Sequence, residues 1–151
     1  MCIFAYQTYE AQNFTVTTCS TGVASNTYGP MNSNSTANSK NRTAFILPAS
    51  QLSALGGGIL TGTYFRRLAT SGSLPAGTTF KIYLKNTAIN DFGSSAPDWA
   101  TEISTATLVY DSDPAAAVGS TSGFKQFSHS ANFTYNAGSN LAVYLEYTQS
   151  T

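Results

Sequence analysis

The chain has 151 residues, a length that suits one domain and is short for two. Seven Lys/Arg and seven Asp/Glu make up only 9% of it, against about 25% in an average domain, and the formal net charge is zero. With Arg66-Arg67 as the only adjacent cations, these figures argue against a phosphate backbone as partner, and 42% hydrophobic residues argue against disorder throughout.

Solubility at this low charge must come from hydroxyls and amides, and Ser, Thr and Asn are abundant from end to end. Thr, nine Tyr and nine Phe favour a pleated, half-buried surface, while the straight-chain helix formers Glu, Lys and Arg are scarce. No apolar run approaches the ~20 residues of a spanning helix, so membrane insertion is not expected.

The chain opens with Met1-Cys2-Ile3-Phe4-Ala5-Tyr6-Gln7-Thr8-Tyr9. It lacks the basic start and long apolar stretch of a secretory signal, which implies either a signal already removed or another route out, such as virion release. The two cysteines, Cys2 and Cys19, allow one intramolecular bridge, and two unpaired thiols are the alternative. Residues 12–18 alternate Phe14 and Val16 against Thr15 and Thr17, the period of a strand. A polar stretch from Ser20 to Asn41 reads as a long loop.

Arg42 to Leu47 is expected to be a strand. Pro48 to Leu55 reads as one short helix, with Pro in the first turn, apolar residues at 49, 52 and 55, and Gly56 as its stop. A strand from Ile59 to Leu68 follows the Gly56-Gly57-Gly58 break. Alternation is clearest in 78–86, with Phe80, Ile82 and Leu84 inward and Lys81, Tyr83 and Lys85 outward. Residues 90–100 read as a loop carrying the only tryptophan, Trp99. Further strands are expected at 103–110, 123–128 and 140–148, the last with Leu141, Val143, Leu145 and Tyr147 opposite Ala142, Tyr144 and Glu146. The pattern predicts an all-β, jelly-roll-like antiparallel β-sandwich with one short helix.

The order of short motifs carries a resemblance. Tyr28-Gly29-Pro30-Met31 precedes Pro48-Ala49-Ser50-Gln51-Leu52, then Tyr64-Phe65, Phe80-Lys81-Ile82-Tyr83-Leu84-Lys85-Asn86-Thr87, Trp99, Leu108-Val109-Tyr110 and Phe133-Thr134-Tyr135-Asn136-Ala137-Gly138-Ser139-Asn140-Leu141. This resembles a β-sandwich module of large secreted and surface proteins of Bacteroidetes, many exported by the type IX system. The resemblance covers roughly residues 12–148. It implies an extracellular or cell-surface setting, inside multidomain adhesins or beside catalytic domains, and no shared catalytic residues. Two departures stand out: residues 1–11 form an extra segment ahead of the 12–151 sandwich domain, and the chain stops before the family's closing strand. A missing strand leaves an edge open to strand addition, and Ile3, Phe4 and Tyr6 make the extra segment able to fill it within the chain or in a neighbour.

Candidate sites are few. His129 is the only histidine, and no Gly-x-Ser-x-Gly elbow presents a nucleophile, so no enzyme is expected. Asp111-Ser112-Asp113 offers hard oxygen ligands for calcium, although Asx-turn chemistry before Pro114 also accounts for the pair. Tyr83 and Tyr144 both point outward by alternation and would form a sugar-stacking platform if their strands are neighbours. Trp99 is either a further stacking residue or a lid. Sequons at Asn13, Asn34, Asn41 and Asn132 would accept glycans in a eukaryotic secretory pathway, but arise readily in a chain this rich in Asn and Thr. The expectation is a structural or adhesive module, a homo-oligomer, polymer or part of a larger surface protein, with a carbohydrate-binding module or a phage or virion surface protein as alternatives.

Overall fold

The computed structural model describes Met31, residues 38–67 and residues 74–149. The expected strand 12–18, most of the loop 20–41, Cys2, Cys19, the segment with Ile3, Phe4 and Tyr6, and the sequons at Asn13 and Asn34 lie outside them.

Six described strands form two antiparallel sheets in an all-β, sandwich-like fold. They are β1 (Lys40–Leu47), β2 (Ile59–Arg67), β3 (Thr79–Thr87), β4 (Thr107–Ser112), β5 (Gly123–Thr134) and β6 (Asn140–Thr148). One sheet has the order β1-β6-β3-β4, and β2 pairs with β5 in the other, so the chain crosses between sheets after β1, β2, β4 and β5.

Alternation sets the core. Phe80, Ile82 and Leu84 of β3 are buried with Leu141, Val143, Leu145 and Tyr147 of β6 against Phe127 and Phe133 of β5. Phe127 is the hub: its ring centroid lies 5.3 Å from Phe80, 5.7 Å from Phe65 and 5.2 Å from Tyr110, all edge-on, the geometry that ring quadrupoles favour.

The expected helix over 48–55 is instead a pair of 3₁₀ turns, Ala49–Gln51 and Ser53–Leu55. The spacing of its apolar residues, every third position, is that of a 3₁₀ turn, and Leu52 between the two turns is sunk into the core. Gly56 does end the segment, in the left-handed conformation at φ 56° that a Cβ disfavours. The expected strand 103–110 begins later, at Thr107, because residues Trp99–Ser104 form a short helix, α1. A second, α2, spans Ala115–Val118.

Asn140 fastens the loops at one end of the sandwich. Its Oδ1 accepts from the Ala49 amide at 2.8 Å, and its Nδ2 donates to the Ile89 carbonyl at 2.8 Å and to Asn90 Oδ1 at 3.0 Å. Asn86 bonds similarly to the Thr134 carbonyl and the Asn136 amide.

Candidate functional site

The pair singled out by alternation is brought together. β3 and β6 are neighbours, and Tyr83 stands directly opposite Tyr144 on the outer face of the four-stranded sheet. One row along, Arg42, Glu146, Lys81 and Asp111 follow one another across all four strands, alternating in charge. Arg42 Nε meets Glu146 Oε2 at 2.7 Å, and Lys81 Nζ meets Asp111 Oδ2 at 3.2 Å.

Tyr144 is not a platform, however, because the chain lays its own aromatics over it. Asp98 caps α1 by accepting from the Thr101 amide at 2.8 Å, which holds its carboxyl below the usual range. The helix so anchored sets Trp99 edge-on to Tyr144 at 5.9 Å, and Phe92 packs against the same ring at 5.8 Å. Tyr144 is fully buried, and Ala142 and Glu146 on the same face are buried too. The face points away from the core, as alternation indicates, but it is covered, which corrects the expectation of an open stacking platform at Tyr144. Trp99 acts as a lid, over the outside of the sheet rather than an end of the core, with the Arg42 guanidinium 5.2 Å above its ring.

Glu102, from α1, locks the lid. Its Oε2 accepts from the Tyr144 hydroxyl at 2.6 Å and from Lys85 Nζ at 3.1 Å, and these two donors pull its carboxyl pKa down. Burial, reinforced by the Glu102 carboxylate, pushes the Tyr144 phenol up. Burial also raises Tyr83. The hydrogen bond to Asp111 raises Lys81.

The calcium candidates are engaged within the chain. Asp111 pairs with Lys81, while Asp113 Oδ1 accepts from the Ala115 amide at 2.8 Å and its Oδ2 from the Gly77 amide at 3.2 Å. That is Asx-turn chemistry leading into α2. Among the described residues, no three His, Cys, Asp or Glu gather as a metal site.

His129 braces an irregular stretch of the β2–β5 ladder. Leu60 pairs with Phe133 and Gly62 with Ser128, so residues 129–132 face Thr61 alone. The His129 Nδ1–H donates to the Leu60 carbonyl at 3.0 Å, and Nε2 accepts from the Thr63 hydroxyl at 2.8 Å. Both ring nitrogens are thereby occupied, and burial lowers the imidazole pKa. The sequon residue Asn132 sits exposed in the same stretch, whereas Asn41 in β1 is partly buried.

The face that stays open was not singled out by the sequence. On the outside of the two-stranded sheet, Tyr64 stands opposite Gln126 and Arg66 opposite Phe124, so the two rings lie diagonally across the ladder. Tyr64 is 40% and Phe124 59% exposed. Neither joins the ring contacts that tie up Tyr144. At Gly62 a Cβ would lie 3.3 Å from Gln126 Nε2, so the missing side chain leaves room for that amide. The available signal was the spacing Tyr64-x-Arg66 and Phe124-x-Gln126 around the inward Phe65 and Lys125.

Comparison of the chain with family models, with curated proteins and with solved structures gave no match.

Proposed function

We propose that the chain is a structural or adhesive β-sandwich module of an extracellular or cell-surface protein, working through contact surfaces rather than turnover. The observation that carries this reading is the open outer face of the two-stranded sheet, where Tyr64 and Phe124 stand exposed while the opposite outer face is closed by the chain itself. Large exposed rings side by side are uncommon unless something binds there. The low charge leaves little repulsion between copies. Self-assembly by strand addition belongs to the same reading, with residues 2–9 donated to a neighbouring subunit as a filament or surface array grows.

Light scattering on the full chain and on a chain lacking residues 1–10 tests the assembly. High-mass species that collapse to folded subunits after the deletion support donation between chains. Two monomers with the same unfolding midpoint contradict it.

A second reading, a carbohydrate-binding module, is favoured by one feature: the two exposed rings are flanked by the hydrogen-bonding side chains of Arg66 and Gln126. That is the composition suited to a pyranose, which has apolar C–H faces and hydroxyl edges.

A further inference from the structure

Charge is unevenly shared between the two sheets. The strands β2 and β5 carry Arg66, Arg67, Lys125 and His129 and not one Asp or Glu. On the four-stranded sheet Arg42, Lys81 and Lys85 are each paired with a carboxylate, while Lys40, at the start of β1, is in none of the ion pairs among the described residues. Arg66 is exposed, and it forms none of the ion pairs among the described residues. On the outer face of the two-stranded sheet, among the described residues, one exposed guanidinium, that of Arg66, thus stands directly between the two open rings, opposite Phe124 and two residues along the strand from Tyr64.

From this juxtaposition we propose that Tyr64, Phe124, Arg66 and Gln126 form a binding site for an acidic oligosaccharide, one in which a hexuronate or another carboxylate-bearing sugar adjoins a pyranose; the proposal rests on the carbohydrate-binding reading above. The rings sit diagonally, each directly across from a hydrogen-bonding side chain, so aromatic and polar groups alternate in both directions of the ladder. An amphipathic sugar chain has that same alternation of C–H faces and polar edges. The guanidinium offers a planar fork that matches a carboxylate, with two parallel N–H donors. Gln126 supplies both a donor and an acceptor for hydroxyls. A nucleic acid suits the face less well, because its affinity grows with the number of phosphates neutralised and Arg66 is the one cation there among the described residues. A purely apolar partner would leave the guanidinium desolvated without an acceptor.

The test uses the full chain on a printed array holding neutral, sialylated, uronate-containing and sulfated oligosaccharides, followed by titration with oligogalacturonate and its fully methyl-esterified form. Binding to carboxylate sugars, with preference for the free acid over the ester, is expected. Tyr64→Ala and Phe124→Ala should each weaken binding by about tenfold or more. Arg66→Gln should bring the acid-to-ester ratio close to one, and Ile89→Ser, an exposed apolar residue elsewhere, should change nothing. The proposal is overturned by an array without carboxylate-sugar binding, by equal affinity for acid and ester, or by tighter binding of oligo(dT). Sugar binding that survives Phe124→Ala and Tyr64→Ala overturns this site but leaves the carbohydrate-binding reading intact. Self-association that disappears in Phe124→Ala without sugar assigns the face to contact between copies, overturning the glycan site while the structural-module reading stands.

Discussion

The outer faces of the two sheets obey the same two-residue alternation and reach opposite ends. On the four-stranded sheet, Tyr144 points away from the core and is fully buried, under Trp99 and Phe92 and bonded to Glu102. On the two-stranded sheet, Tyr64 and Phe124 point away from the core and stay exposed. Strand period fixes which side of a sheet a residue occupies, but not whether that side meets water. The second question is decided by the connections, here the stretch from Ile89 to Ser104 that folds back over β6. A tyrosine on the covered face is buried as part of the structure, and one on the uncovered face stays exposed.

The largest expected effect comes from breaking the closed face. Tyr144→Ala should destabilise the protein by about 3–5 kcal/mol, the cost of emptying a buried aromatic site. Tyr64→Ala should stay within about 0.5 kcal/mol. Urea unfolding of the two variants side by side checks the pair, and equal losses would remove the distinction. Ile82→Ala in the shared core belongs with the first, at about 2–5 kcal/mol.

Loosening the lid should cost less. Glu102→Gln keeps the shape but weakens two charge-assisted hydrogen bonds and leaves Lys85 without its carboxylate, an effect of about 1–2 kcal/mol. The same carboxylate gives a pH signature. Its native pKa lies below the ordinary 4.5, so its contribution is complete above pH 4.5 and is lost as the pH falls through the depressed native value. Trp99 fluorescence followed through acid titration should report the lid loosening in that range, and Glu102→Gln should flatten the response.

His129 gives a smaller, separate effect on the other sheet. Burial holds its pKa below 6.5, so the stability of the neutral form is present above pH 6.5 and is lost as the pH falls through the lowered native value. His129→Gln should remove the part of the stability slope that begins at 6.5 and leave the acid transition of Glu102 in place.

Much of the fold was legible. Phe80, Ile82 and Leu84, and Leu141, Val143 and Leu145, lie on the faces their alternation indicates, and Tyr83 and Tyr144 do meet. Alternation is a local property, so short-range sequence carries it. What covers the outer face of β6 is a long-range matter, with Glu102 and Tyr144 42 residues apart in the chain. The helix α1 leaves a local signal, since Asp98 stands three residues before Thr101 in a capping arrangement, but its six residues are too few to show a helical period. The continuation of β5 beyond Ser128 was hidden by its irregular stretch, where residues 129–132 lose the ladder's period.

One outer face is closed and the other exposed, and hydroxyl-radical footprinting of the native protein separates the two. Tyr64 and Phe124 should be oxidised readily and Tyr144 protected until the protein unfolds, whereas protection of Tyr64 and Phe124 equal to that of Tyr144 would mean that both outer faces are covered.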